Sequence, residues 1–451
     1  MRAAQRILIC GAGSLGRALA TGLAQEGHQV TVIDHERSRL DGLEASADLR
    51  VVCGSATSLR TLGDAGAASA DVVLGVTSSD SENALICGLA RRLGAAHAIA
   101  RMRDGELAAA ASTIGLAQLG IDRVISPEAL AVEAVVRIIR SPGASDAVDL
   151  AHGRIAVRAF VVSAKSPFAN LTVAQARAAR PGEWLVAAVQ RGAEWRVAGP
   201  EDRLVPGERA YVCCPIADAG ALVTAFDPDA RAARSVLVVG HGSAAAQLAR
   251  RLAVEGFATA ILAGGRAEEL ASELDPLGIE VLAGGIQDAE LLLRRAHAAD
   301  VVACAADEDE DNLMTALLVR ARGLARVVVV ANHGATMRLL HGLDLDALVS
   351  PRLLAAGALL RLMRGREVGD LLRLSDEQLE LIDVGVAPGA AATLRPLRAL
   401  GLPRGVLALA VVRGQATGLP QPDLPFTAGD RVVLIAPRAH EPRAVALFTE
   451  G

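Results

Sequence analysis

Three closely spaced glycines near the start of the chain could bind a phosphate group. Gly11, Gly13 and Gly16 form a G-x-G-x-x-G pattern that follows a short apolar run and begins a helical pattern. In this context the first glycine permits a tight turn, the second lets the backbone approach a pyrophosphate, and the third lets the helix pack closely on the strand. The first amides of the helix, at Ser14 and Leu15, would then face the phosphate oxygens at the positive end of the helix dipole.

An acid at the end of the next apolar run could bind a ribose. Asp34 follows residues 29–33 and lies 23 positions after Gly11. At this place a carboxylate accepts hydrogen bonds from the hydroxyls of an adenosine ribose, and it repels a 2′-phosphate. The residues therefore predict NAD or NADH rather than NADP, with a solvated loop acid as the alternative interpretation of Asp34.

Three further polar residues follow later strand-like runs and could lie beside the same ligand. Thr77 and Ser78 come after residues 72–76, and Arg101 ends residues 97–101. Because the carboxyl ends of parallel strands meet at one edge of a sheet, we expect these side chains at the ligand crevice. Arg101 could reach a phosphate or the adenine, although an isolated arginine is more often a surface charge.

The elements that must position these residues alternate between short Val/Ile-rich runs and helical patterns. Right-handed βαβ crossovers then predict an α/β fold with a Rossmann-like, doubly wound parallel sheet. The five predicted strands are residues 7–10, 29–33, 49–53, 72–76 and 97–101. A small α+β domain of order β-α-β-β follows, with predicted strands at 154–163, 184–190 and 209–213 and a short helix near Ala174.

A helix with one apolar face connects the two predicted domains. It opens at Ser126-Pro127, where serine is a favourable cap and proline suits the first helical position, and it ends near Arg140. Its apolar residues have the spacing of a single face: Leu130, Ala134, Val135, Ile138 and Ile139. The simplest interpretation is that this face packs on its own domain. The alternative is packing on a partner or on the other half of the chain.

This two-domain pattern occurs twice, about 229 residues apart. Gly240 and Gly242 match the first two glycines, but an alanine replaces the third, and Ala263 and Ala306 stand in place of the acid and the threonine. Asn332-His333 fall near the expected position of the arginine. The predicted segments are 1–125 and 232–349 for the nucleotide-binding domains, 126–148 and 350–368 for the crossover helix regions, and 149–220 and 369–451 for the small domains.

Composition and patterning exclude several classes of protein. The net charge of −5 and the 2% of aromatic residues do not favour nucleic-acid binding. The longest apolar runs are far shorter than the roughly 20 residues of a membrane helix, and the first strand begins too early for a signal peptide, so we expect a cytoplasmic protein. The six cysteines form no CxxC pair and the nine histidines no HExxH pattern, so no metal site is predicted and the cysteines are interpreted as small buried residues.

Together these segments resemble a known family. The first copy contains Gly-Ala-Gly-x-x-Gly, then Asp, Val-Thr-Ser-Ser-Asp, Ile-Ala-Arg and Ser-Pro-Glu, followed by the small β-α-β-β domain. This order is similar to the TrkA family of bacterial Trk potassium uptake systems, whose domains are called RCK or KTN domains and TrkA_C domains. The resemblance implies an NAD site formed by Gly11, Ala12, Gly13, Ser14, Leu15, Asp34, Thr77, Ser78 and Arg101.

The resemblance also implies a function. The resemblance implies a cytoplasmic regulatory subunit that is peripheral on the cytoplasmic face of the inner membrane. It implies that this subunit assembles into a ring-like homo-oligomer beneath a separate potassium-translocating membrane subunit. That subunit would be gated by NAD or NADH, with ATP or ADP as alternatives. In the second copy, Gly240 and Gly242 either preserve a turn or bind ATP or ADP.

Two other functions are compatible with a Rossmann-like fold. The first is an NAD-dependent oxidoreductase, but an enzyme needs a general acid or base at a substrate pocket, and the small domains are short, apolar and without a cluster of His, Lys and Asp. The second is a nucleotide-sensing regulator of a different transporter, which would use the same fold with another partner. We therefore predict a regulator without catalytic residues.

Overall fold

A computed structural model describes most of the chain. The described residues are 4–25, 27–43, 49–103, 115–192, 194–285, 287–331, 343, 345–364, 368–374, 379–423 and 425–450. They form two compact units, of which one contains Met1–Ala131 and Pro351–Leu360 and the other contains Val132–Ser350 and Arg361–Gly451. No helix in this described part has both the length and the apolar character needed to cross a bilayer.

The first Rossmann-like domain contains six parallel strands. They are β1 (Arg6–Cys10), β2 (Gln29–Asp34), β3 (Arg50–Cys53), β4 (Val72–Gly75), β5 (His97–Arg101) and β6 (Arg123–Ile125). Their order in the sheet is β3-β2-β1-β4-β5-β6, which is the doubly wound order and confirms the predicted fold class. The sequence predicted the first five strands and missed β6, whose three residues are too few to show a period.

In the described part of this domain, four helices connect the strands and cover an aliphatic core. They are α1 (Ser14–Gln25), α2 (Arg37–Leu40), α3 (Leu59–Asp64) and α4 (Asp80–Leu93). In α1, Leu15, Leu19 and Leu23 recur every four residues and are all buried, so one face of this helix packs on the sheet. The helix and β1 therefore hold the glycine loop between them at the carboxyl end of the strand.

The crossover helix α5 (Pro127–Arg140) does not pack as the simplest interpretation of the sequence predicted. From Val132 onward it belongs to the second compact unit rather than to its own Rossmann-like domain. Nε of Arg251, in the second half of the chain, donates to Glu133 at 2.8 Å, and Arg140 lies 3.1 Å from Glu255. Helical periodicity reveals an apolar face but not the surface that covers it, and these polar contacts favour the alternative of packing on the other half.

The first small domain is a five-stranded antiparallel sheet with two helices. Its elements are β7 (Ala144–Leu150), β8 (Ile155–Val161), α6 (Val173–Ala179), β9 (Leu185–Arg191), β10 (Glu194–Val197), β11 (Arg209–Pro215) and α7 (Ala219–Phe226). The sheet order is β10-β9-β11-β8-β7. The predicted β-α-β-β order corresponds to β8, α6, β9 and β11. Strands β7 and β10 and helix α7 were missed, because the sequence assigned residues 144–148 to the crossover region and 219–226 largely to a linker.

The second half of the chain repeats this architecture. Its Rossmann-like strands are β12 (Ser235–Val239), β13 (Ala258–Leu262), β14 (Glu280–Leu282), β15 (Val301–Cys304), β16 (Arg326–Val330) and β17 (Ala347–Val349). Its helices are α8 (Ser243–Val254), α9 (Ala267–Leu274), α10 (Ala289–Ala298), α11 (Asp309–Ala321) and the crossover helix α12 (Pro351–Arg364). The order β14-β13-β12-β15-β16-β17 matches that of the first sheet. Residues Pro351–Leu360 of α12 belong to the unit of the first Rossmann-like domain, so each crossover helix is shared with the other half.

The two small domains share one hydrophobic core. The second consists of β18 (Val368–Leu374), β19 (Leu379–Gly385), α13 (Ala391–Leu394), β20 (Leu407–Arg413), β21 (Ala416–Gly418), β22 (Arg431–Pro437) and α14 (Glu441–Thr449). Its sheet order, β18-β19-β22-β20-β21, repeats that of the first small domain. Buried residues of β8 and β11, such as Val157 and Cys213, belong to the same cluster as Leu381, Leu409 and Val433. The two small sheets are therefore packed together within the second unit.

Candidate nucleotide site

The loop between β1 and α1 has the geometry that its glycines predict. Gly11 has a φ of +112°, and a Cβ there would lie 3.0 Å from the amide nitrogen of Thr77. A Cβ at Gly16 would overlap the carbonyl group of Gly11, so helix and loop are in direct contact. At Gly13, by contrast, no atom of the described residues lies within 4 Å of the Cβ position. The loop is thus closed on two sides and open beside Gly13, as backbone contact with a pyrophosphate requires.

The first residues of α1 border this open side. Ser14 is exposed, whereas Ala12 and Leu15 are buried and fix the loop against the domain. The first amides of any helix have no partner within the helix, and the helix dipole makes this end positive. The N-terminus of α1 can therefore bind an anion beside Gly13.

The carboxylate of Asp34 connects the end of β2 to the glycine loop. Asp34 is only 5% exposed, so it is not a solvated loop acid. One carboxylate oxygen accepts a hydrogen bond from the amide of Ala12 at 2.7 Å, and the other accepts from the amide of Glu36 at 2.9 Å. Each carboxylate oxygen has a second lone pair, so Asp34 can still accept a hydrogen bond from a ribose hydroxyl.

Thr77 is held at the end of β4 by a residue that the sequence analysis did not assign to the site. Asn83 is fully buried, and its Oδ1 accepts hydrogen bonds from the amide and the hydroxyl of Thr77 at 2.8 and 2.9 Å. Its Nδ2 donates to the carbonyl oxygens of Thr77 and Arg101 at 3.2 and 3.0 Å. Asn83 therefore joins the ends of β4 and β5. The sequence signal was Asn312, which stands at the same place in the second half.

The last two predicted site residues differ in their surroundings. Ser78 is exposed at the carboxyl edge of the sheet. Arg101 is not a surface charge, because its side chain is 16% exposed and its guanidinium lies 3.3 Å from the Glu128 carboxylate. Burial lowers the pKa of Arg101, and the negative charge of Glu128 opposes this shift. Among the described residues, no acceptor bonds to the buried Nε of Arg101, which leaves one donor of this guanidinium unused.

The second glycine loop keeps the backbone of the first and lacks its side chains. Gly240 has a φ of +151°, and a Cβ there would lie 2.6 Å from the carbonyl oxygen of Ala305. Asn312 holds Ala306 as Asn83 holds Thr77, through bonds of 2.7 and 2.8 Å to the Ala306 backbone. Ala263 is buried and has no carboxylate to offer a ribose. Asn332-His333 lie outside the described residues.

All six cysteines lie among the described residues, and they are mainly structural. Five are buried, and burial raises the pKa of Cys87 and Cys214 to about 12, so their thiols stay protonated at neutral pH. Cys53, at the end of β3, is the exposed one. The described residues contain no group of three His, Cys, Asp or Glu side chains that could hold a metal ion.

Sequence comparisons identify the family. The TrkA-N domain model matches residues 7–127 and 236–351, and the TrkA-C domain model matches residues 381–449. The chain is 30% identical to the Trk system potassium uptake protein TrkA of Haemophilus influenzae over 98% of both chains. It is 29% identical to the protein of the same name from Vibrio alginolyticus over 91% of both. None of these names denotes an enzyme, in agreement with the predicted absence of catalytic function.

Solved structures show the same fold at lower identity. The crystal structure of the GsuK RCK domain covers 98% of this chain and 95% of that one, with a TM-score of 0.61 and 20% identity. The GsuK channel bound to NAD covers 98% and 79%, with a TM-score of 0.59 and 19% identity. Two tandem Rossmann-like and small-domain units, a complete glycine loop in the first, and full-length similarity to potassium uptake proteins all agree. The chain belongs to the TrkA family of Trk potassium uptake proteins.

Proposed function

We propose that this chain is the cytoplasmic, nucleotide-binding regulatory subunit of a Trk-type potassium uptake system. In this proposal it lies on the cytoplasmic face of the inner membrane as a ring-like homo-oligomer and gates a separate membrane subunit that translocates potassium. Its domains are the six segments predicted from the sequence, with β7 and α7 added to the first small domain. Membership of the TrkA family supports the link to potassium uptake, and the ring and its membrane partner follow from the family resemblance.

The observation that supports nucleotide binding most directly is the open side of the first glycine loop. Gly13 faces open space at the N-terminus of α1, and the buried Asp34 carboxylate borders the same loop. This combination fits a pyrophosphate and an adenosine ribose. We assign NAD or NADH to it, with Gly11, Ala12, Ser14, Leu15, Thr77, Ser78 and Arg101 completing the site. A structure of GsuK bound to NAD and another of GsuK bound to ADP have the same fold, which supports this choice and keeps ADP as an alternative ligand.

Substitution of Asp34 tests the assignment. Asp34→Asn keeps an acceptor for the Ala12 amide but removes the charge that favours ribose hydroxyls over a 2′-phosphate. We expect NADH to bind about tenfold more weakly, or about 1.4 kcal/mol, because a hydrogen bond to a charged group is lost. We also expect the preference for NADH over NADPH to shrink. Isothermal titration calorimetry with the full chain measures both.

A neighbouring acid provides the control for this experiment. Glu36 lies two residues away, and its carboxylate pairs with Arg39 at 2.8 Å rather than with the loop. Glu36→Gln removes the same charge from the same turn and is expected to leave NADH affinity unchanged. Equal affinity of the wild type and the Asp34→Asn variant for NADH would refute the site. Oxidation of NADH at an enzyme-like rate with a small substrate would refute the regulatory function.

A further inference from the structure

In the second glycine loop, a carboxylate occupies the space that corresponds to the open space beside Gly13. A Cβ at Gly242 would lie 2.7 Å from both Cγ and Oδ2 of Asp307, so this side chain lies directly against the glycine. Asp307 is the counterpart of Ser78, since Asp307 is the third residue after β15 and Ser78 is the third residue after β4. The space beside the glycine is therefore open in the first loop, whereas in the second it is occupied by the exposed side chain of Asp307.

The carboxylate of Asp307 resembles a nucleotide phosphate group in its negative charge. The second loop leads into α8, a helix of 12 residues, whose N-terminal amides and dipole attract a negative charge. A carboxylate at this place can satisfy that attraction without a ligand. A nucleotide phosphate would have to displace the side chain and would meet its negative charge.

A nearby arginine adds positive charge to this arrangement. Nη1 of Arg266 donates to the carbonyl oxygen of His241, within the second loop, at 2.8 Å. The pKa of Arg266 is raised, chiefly by its hydrogen bonds to Glu269, with a smaller contribution from the charge of Asp307. The first loop has a different arrangement, because there the Asp34 carboxylate borders the loop and the space beside Gly13 is open.

We propose that Asp307 is a built-in substitute for a phosphate group that closes the second glycine loop to nucleotides. One chain then binds a single nucleotide, at the first loop. Asp307 is thus the residue that determines which of two similar loops accepts a ligand. The count of one per chain rests on the proposed function of the first loop, whereas the closure of the second loop does not.

A reciprocal exchange of the two counterparts tests the proposal. Asp307→Ser gives the second loop the residue of the first, and Ser78→Asp gives the first loop the residue of the second. Calorimetry with ADP on the full chain should give one site per chain for the wild type and two for Asp307→Ser. The added site should be the weaker one, because Ala263 cannot bind the ribose. Ser78→Asp should lower ADP affinity at the first loop at least tenfold.

Two further variants separate this proposal from the proposed function. The double variant Ser78→Asp/Asp307→Ser should bind one ADP per chain, at the second loop, whether or not the first loop binds nucleotide in the wild type. Glu310→Ser removes an exposed charge from the first turn of α11 and should leave the count at one. Two ADP sites per chain in the wild type would overturn the proposal. So would the absence of an added ADP site in both Asp307→Ser and Asp307→Ala. Absence of ADP and NADH binding in the wild type alone would instead refute the function of the first loop.

Discussion

Asn83 illustrates how a single buried amide can determine the shape of a ligand edge. Its side chain makes four hydrogen bonds, two as acceptor and two as donor, which is its full capacity. All four reach backbone or side-chain atoms of Thr77 and Arg101, at the ends of two adjacent strands. Any shorter or apolar side chain would leave several buried groups unpaired.

We expect Asn83→Ala and Asn312→Ala to destabilise the protein by similar amounts and to differ in ligand binding. Each removes a buried amide that bonds to the same backbone positions in its own copy, and Asn83 alone also accepts from a hydroxyl, so each should cost about 2–3 kcal/mol of unfolding free energy. Only Asn83→Ala should weaken NADH binding, because only it releases Thr77. Urea unfolding and calorimetry measure the two effects. Equal weakening of NADH binding by both variants would show that the effect follows from general destabilisation.

The sequence could predict the glycines and Asp34 because their roles depend on local backbone geometry at a fixed spacing. It could not predict the partners of Asn83, Arg101 or Asp307, since these contacts join segments whose approach depends on the fold. Asp307 is the clearest case. Its residue type differs from that of Ser78 in the alignment of the two halves, yet only the structure places its carboxylate against Gly242.

The crossover helix α5 is anchored by the half of the chain that follows it. The guanidinium of Arg326, at the start of β16, donates to the carbonyl oxygens of Ile138 and Ser141 at 3.3 and 3.4 Å and also to that of Ala144. The last carbonyls of a helix have no partner within the helix, and a cation is favourable there. Arg326 therefore caps α5 from the other half.

Substitution of Arg326 tests this anchor. Arg326→Met keeps an unbranched apolar stem but leaves three carbonyl groups without their donor, so we expect a loss of about 2 kcal/mol of unfolding free energy. Arg295→Met is the control, because within the described ranges Arg295 pairs with the half-exposed Glu280, and its loss should change stability by less than about 1 kcal/mol. Urea unfolding measures both. An equal effect of the two substitutions would argue against the anchor.

Most strands and helices could be predicted from periodicity and composition, whereas short and shared elements could not. The strand β6 contains three residues, and β10 is a four-residue hairpin partner of β9. The helix α7 is almost uniformly apolar, so it lacks the pattern of an amphipathic helix, and it contributes Leu222 and Phe226 to the core of the small domain. The packing of α5 depends on a contact with residues far along the chain.

In the proposed assembly, the asymmetry of the two loops has a consequence for regulation. A ligand can shift a conformational equilibrium only if it binds one state more tightly than the other, and the shift then applies in both directions. With one open loop per chain, each subunit would contribute one ligand-dependent free energy to the gating equilibrium. The contribution of the second loop would not change with the nucleotide concentration.

Potassium flux through the reconstituted system tests this regulation. With the cognate membrane subunit in vesicles, we expect NADH or NAD to change the flux at concentrations near their dissociation constants for the wild-type chain. Asp34→Asn should shift the response to about tenfold higher nucleotide, in proportion to its weaker binding. Titration of NAD, NADH, ATP and ADP in parallel identifies the signal. A flux response that Asp34→Asn leaves unchanged would show that gating does not depend on nucleotide binding at the first loop.

The shared core of the small domains links the duplication of the sequence to a property of the folded chain. Leu381, Leu409 and Val433 of the second small domain pack with Val157 and Cys213 of the first, and both domains belong to one polypeptide. If the same sheets came from separate subunits, their pairing would depend on protein concentration, as it does in any dimer. Within one chain the effective concentration of each sheet for the other is fixed by the linker. Dilution therefore cannot separate them, and the pairing of unlike halves, one with an open loop and one with a filled loop, is fixed at synthesis.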